Sequence, residues 1–417
     1  MAPGDASAPR CNAAIVSAMS PLLGAALVVL LEGLATAAVF PVMHAYCAAL
    51  GGGELWVGVL FALVAGPKVL LNPLWGRLSD RLGRRPMLIA ATLGTLSGSI
   101  GWAVARNLTW LAVARLVVGV FSAQAALAQA AAVDVTPPYR RAHALALLGA
   151  AFGISFTLGP LMGGLLGSWV SPASVGWACA ASQLVSLLVV LFALPETRAE
   201  SAVAGAAPAA VPAPVRFRDL VRAPAVALLL LATLAMTLSL SELTSTLGLF
   251  TEHAYGFDTA RTSYVFALLG LVAVAVQAGA VRRLSARFGD WLVAGAGMLA
   301  LVGGYALFAA QPALSAFLAA TVVLGVGAAL SVPCVTAMLS RSVSDADQGA
   351  ILGVNQSVIG AGRTVGYVLG TWLYEMRGAG LAFGGAAGLA AAALALLLPL
   401  RPSARSPRAG GAQAEVG

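Results

Sequence analysis

Five ionisable residues stand inside runs of small and aliphatic neighbours: Glu32, Lys68, Arg115, Glu242 and Arg363. A charge at the middle of a membrane-crossing helix costs about 2.5–3.5 kcal/mol, so those that are kept are candidates for ligand binding or proton exchange. A carboxylate that meets water in one conformation and apolar surroundings in another can take up and release a proton. Cations beside it can neutralise it or hold a cargo. These residue types offer binding and proton transfer rather than bond-making chemistry. No GxxxxGK[ST] loop is present, so ATP is not the expected energy source. The three histidines, His44, His143 and His253, form no HExxH or other metal-spaced set. Cys11, Cys47, Cys179 and Cys334 lie far apart with no CxxC pair. No metal, cofactor, disulfide framework or enzymatic activity is expected.

A second concentration of charge is the strap GRLSDRLGRRP, from Gly76 to Pro86, which lies between two apolar runs. Its heptad RLSDRLG (77–83) returns as RLSARFG (283–289), with alanine in place of the aspartate. Asp80 can accept from nearby arginines, including Arg81 and Arg84, or from the free N–H groups at a helix start. Gly76 and Gly83 permit tight turns and close helix approach.

The elements that must position these groups follow from composition. The 417 residues are 60% hydrophobic and 10% charged, with a mean hydropathy of +0.91. So few charges cannot cover a water-soluble domain, and lipid is the expected solvent. The net charge of +8 is carried in short loops between apolar runs and argues for membrane topology, not for nucleic-acid binding. Twelve apolar runs are long enough to cross a bilayer: about 22–48, 55–75, 87–105, 108–132, 142–168, 173–194, 223–250, 262–281, 291–310, 313–337, 350–376 and 378–400. With the N-terminus inside, eighteen of the 24 basic residues fall in inside loops or tails, which places both termini in the cytoplasm. The domain plan is a tail (1–21), a six-helix bundle (22–194), a cytoplasmic linker rich in Ala and Pro (195–222), a second six-helix bundle (223–400) and a tail (401–417).

The two bundles are related. The strap repeats at an offset of 206, and Gly153, Gly159 and Gly163 return as Gly360, Gly366 and Gly370 at 207. Two echoes at spacings one residue apart indicate a duplicated unit. Both halves also carry His-Ala-Tyr, at 44–46 and 253–255. Glu32 and Glu242 precede these triplets by twelve and eleven residues, as two acids facing one cavity across a pseudo-twofold axis would. Small residues four apart let helices approach closely, and Pro160 should bend its helix.

The strap, Arg115 and Gly119 as RxxxG, GISFTLGPLMGG (153–164) and Pro195-Glu196-Thr197 together resemble the major facilitator superfamily, in its drug:H⁺ antiporter branch with the tetracycline-efflux proteins. Ser155 and Glu32 depart from that pattern, where relatives usually have glycine and often aspartate. The resemblance implies an all-α, twelve-helix carrier that works as a monomer and exchanges protons for a small organic molecule by alternating access. Uptake, or a carrier-like receptor without transport, are the alternatives. It further implies that Glu32, Arg115 and Glu242 serve proton coupling, with Arg115 the cation partnering Glu32. Lys68 and Arg363 are the expected cavity ligands. Gly76, Asp80, Arg81, Gly83 and Arg84 form the expected latch between halves; Gly159, Pro160, Gly163, Gly366 and Gly370 set bending and packing. A plasma or inner membrane is the expected location, with an organellar membrane the alternative.

Overall fold

The computed structural model describes residues 20–196, 223–344 and 347–401. Apart from their edge residues, the two tails and the linker expected from the sequence lie outside these. Every long element described is a helix, and ten are long and apolar enough to cross a membrane. Two features bring the count to the expected twelve. The helix Gln348–Leu397 is broken by non-helical backbone at Arg377 and Gly378, which separates spans eleven and twelve. Arg84–Ala103 supplies span three, whose Thr92, Thr95 and Ser99 hydroxyls bond to carbonyls of their own helix. That internal bonding lets a more polar segment cross.

Helix starts follow local sequence. Ser20, Asn107, Ser171 and Asp258 each accept an N–H from the first turn of the helix that follows. Two expected spans are interrupted. Span one is helical over Pro21–Ala38 and resumes as the short helix Met43–Ala49. Pro41 lies in the gap, where its missing N–H and its ring cannot continue a helix. Span four divides into Leu108–Phe121 and Gln124–Asp134 around Ser122 and Ala123, with no proline at the break.

Span one packs on spans five and six, and span seven on span eleven. The halves meet where span two (Glu54–Leu82) lies against span eleven, and span five (Arg141–Trp169) against span eight. Glycines set the tightest of these seams. A methyl at Gly159 would sit 2.7 Å from Ala37 Cβ, and one at Gly163 would run into the Ala38 carbonyl. In the second half a methyl at Gly366 would sit 2.7 Å from the Leu238 carbonyl, and one at Gly370 the same distance from Glu242 Cα. Span five stays helical through Pro160. Large apolar side chains such as Leu70, Trp169 and Phe192 are exposed on the outside, as contact with lipid requires.

Candidate functional site

Between the halves lies a cavity of about 430 Å³ lined by residues of both, within the size range of small-molecule sites. Phe40 and Phe61 are buried at one end, where the Phe40 ring meets those of Phe61, Phe156 and Phe266 edge-on or tilted, and the Phe61 and Tyr367 ring centres lie 5.2 Å apart. At the other end the lining residues Pro73, Gly353, Gln356 and Ser357 are exposed. The cavity is therefore roofed by aromatic rings from both halves and opens toward the end that carries the straps.

The charged lining residues, among those described, are Glu32, Lys68, Arg115 and Arg363. Lys68 Nζ lies 3.1 Å from Glu32 Oε1 and 3.3 Å from Ser122 Oγ, and the Ser122 hydroxyl donates to the same carboxylate oxygen at 3.2 Å. Spans one, two and four thus converge on one ion pair. Ser122 reaches it because the break in span four turns that residue out of the helix. Glu32 also borders a side chamber of about 30 Å³ inside the first bundle, shared with Thr95, Ser99, Arg115, Ser122 and Gln183, which is room for a single water.

Two expectations change here. The cation paired with Glu32 is Lys68, not Arg115. Arg115 is seven residues before Ser122, about 10 Å along the helix; its Nε donates to the Leu60 carbonyl at 3.4 Å and its guanidinium covers the Trp102 ring. Glu242 does not face Glu32 across the cavity. It is fully buried against Gly370, near Gly385, while its neighbour Ser241 lines the cavity. Gly163 packs on Ala38 and Gly370 on Glu242, so the residue equivalent to Glu242 is Ala38, at an offset of 204. The triplets stand 209 apart, five more, because span seven continues unbroken to Tyr255 where span one stops at Ala38. The matching distances to the triplets were a coincidence of chain length. Neither Glu242 carboxylate oxygen has a hydrogen-bond partner among the described residues. Arg363 lines the cavity from span eleven, where no ion pair or hydrogen bond to it is found among the described residues.

Beyond the aromatic roof the halves are bridged by polar groups. His44 Nε2 lies 3.5 Å from Glu252, and His253 Nδ1 3.8 Å from Glu54 and 3.2 Å from the Tyr374 hydroxyl. The Leu55 amide donates to Glu375 at 3.0 Å. The repeated His-Ala-Tyr triplets therefore hold the two histidines of the closed end, each near an acid of the opposite half.

At the strap end Arg84 is the hub. It meets Asp80 at 2.7 Å, Asp134 at 2.9 Å and the Ser79 hydroxyl at 2.6 Å, all within the first half. The free amides that begin span three, on Arg84 and Arg85, are taken by the Glu196 carboxylate and not by Asp80. Gly83 turns the chain at φ +104°, and a side chain there would meet that carboxylate. Gly76 is different from expectation: it lies within a helix with open space around it and makes neither a turn nor a close approach. In the second strap the acid is Asp290, which pairs with Ser285 and Arg341. Ser79, Arg84 and Asp134 correspond to Ser285, Asp290 and Arg341, so the same pair recurs with its charges exchanged.

Comparison with known proteins agrees with this architecture. Residues 25–314 and 280–416 match the family model described as Major Facilitator Superfamily. The tetracycline resistance protein, class H, of Pasteurella multocida is 28% identical over 323 residues, 76% of this chain and 79% of that protein. Human major facilitator superfamily domain-containing protein 10 is 28% identical over 367 residues, 84% of this chain and 78% of its own. A crystal structure described as the human organic anion transporter MFSD10 (TETRAN) superposes with a TM-score of 0.65 at 24% identity, covering 90% of this chain and 98% of the other.

Proposed function

Because the chain belongs to the major facilitator superfamily, we propose that this multi-pass membrane transporter moves a small organic molecule by alternating access, coupled to protons at Glu32. The observation that carries the reading is the Glu32–Lys68–Ser122 cluster on the cavity wall. A proton on Glu32 removes the charge that holds Lys68, so protonation changes the electrostatics of the cavity itself. A single chain supplies both walls, so a monomer suffices. With the strap end in the cytoplasm, this is the inward-open conformation. Rocking of the halves where span two meets span eleven and span five meets span eight would part the aromatic roof and close the strap end, where Asp80, Arg81 and Arg84 would latch.

Export by exchange for protons is supported by the span-five sequence 153–164 and by the tetracycline-resistance relatives. Movement of cargo and proton in the same direction is the second reading, which the Lys68–Glu32 pair favours. Purified protein in liposomes enclosing a pH-sensitive dye tests both. Tetracycline added outside should acidify or alkalinise the lumen according to direction, and so should naphthoate. No proton movement with either compound, from protein shown to exchange labelled substrate, rejects proton coupling.

A further inference from the structure

Three cations and one acid face the cavity, more positive charge than a proton site needs. We propose that the cargo is an organic anion held between Lys68 and Arg363, and that it binds together with a proton on Glu32. This rests on the reading of Glu32 as the coupling site and takes the second of the two directions above.

The two cations share one level of one seam. A methyl at Gly66 would lie 3.4 Å from Thr364, and one at Gly360 would meet Val69, so Lys68 and Arg363 stand on facing turns of spans two and eleven. Arg363 is exposed in the cavity with no acid partner among the described residues. Lys68 is engaged by Glu32. An anion that approached Lys68 while Glu32 stayed ionised would bring two negative charges together beside one ammonium. Protonation of Glu32 removes that conflict, and the Ser122 hydroxyl can still hydrogen-bond the neutral acid.

Charge then balances. Before binding, the pair of cations Lys68 and Arg363 faces one carboxylate, with Arg115 unchanged throughout. Afterwards the pair faces the cargo's charge, the proton having neutralised Glu32. The net charge is unchanged, which a poorly solvated site favours. A cationic cargo would add charge and would instead compete with the proton. The other titratable groups near Glu32 are Arg115, Tyr367 and Cys179, from spans four, eleven and six. Spans five and seven present neutral Phe152, Phe156, Thr237 and Ser241. With Phe40, Phe61 and Tyr367 at the roof, the apolar part of the cargo meets aromatic rings, so an aryl carboxylate fits.

Calorimetry on purified protein decides, with three isosteric probes: naphthoate, naphthamide and naphthylmethylammonium. Each is titrated in two buffers of unequal ionisation enthalpy, which counts protons taken up. Naphthoate should bind best and take up about one proton, its affinity falling about tenfold per unit rise in pH where Glu32 is ionised. Glu32→Gln should bind naphthoate with no proton uptake and no such slope. Arg363→Gln should weaken naphthoate about tenfold or more and keep the proton count. Tighter binding of the cation, naphthoate binding without proton uptake in the native protein, a pH slope that survives in Glu32→Gln, or no naphthoate binding at millimolar concentration would each overturn the proposal. These measurements need no flux. Protein that transports another compound with protons but fails them leaves proton coupling standing; protein that passes them yet moves no protons in liposomes sinks the coupling reading instead.

Discussion

At Glu32 one carboxylate neutralises Lys68 and offers a place for a proton, and substitution separates these roles. Glu32→Gln leaves Lys68 without its counter-ion, but Lys68 is about one-third exposed to the cavity, where water can solvate it. The stability loss should therefore be small, about 1 kcal/mol or less, while accumulation driven by a pH gradient is abolished and counterflow survives. A collapse in melting temperature, or undiminished pH-driven transport in a stable variant, would contradict this. Ser122→Ala removes one hydrogen bond to the carboxylate and one from the ammonium. Turnover should fall several-fold with little change in melting temperature, since the break in span four does not depend on the hydroxyl. The acids and bases inside spans were legible in the sequence as isolated charges. Ser122 was not, because a serine in an apolar run carries no mark of an unwound helix, and Lys68 was harder to place because a long flexible side chain reaches partners that spacing does not reveal.

At the scale of helices, periodicity and loop charge gave the number and order of spans, and the duplicated glycines gave both tight seams. Pro41 could have announced the interruption of span one, but a run of apolar residues on both sides masks a short gap. The error over Glu242 came from there: five residues of extra helix in span seven shifted the triplet without moving the seam. Two glycine substitutions show the difference between a seam and an open face. Gly163→Val drives a side chain into the Ala38 carbonyl and should cost about 1–3 kcal/mol or more, read as lost folded protein on heating in detergent. Gly76→Ala, in a helix with open space around it, should be neutral or stabilise by about 0.5–1 kcal/mol. Comparable damage from both would mean that the close approach at Gly163 is not what keeps it glycine. Asp80→Asn should keep the fold and slow turnover, because Arg84 retains Asp134 and Ser79.

For the whole molecule the closed end decides which side is open. His44 is 4% exposed, and its Nδ1 has no partner. Glu252, Glu54, Glu375 and Tyr374 complete the polar groups around the two histidines. A buried imidazole with no partner at Nδ1 takes a proton there only by opening to water, so acid works against closure. Acid on that side should loosen the mouth. A cysteine replacing buried Phe61 should be labelled faster from the triplet side as pH falls, relative to an exposed control cysteine in the same buffers because only the thiolate reacts, and His44→Gln should flatten the response. Labelling that slows in acid relative to that control would reverse the sign and remove His44 from the gate.

The exchanged charges of the straps bear on how a duplicated chain assembles without confusion. Either half of such a molecule could accept a helix meant for its twin, because the seams are alike. Arg84 docked beside Arg341, or Asp290 beside Asp134, would set like charges together, whereas each native pair attracts. The sign reversal would therefore serve as an address, by which each of two related copies favours its own helix.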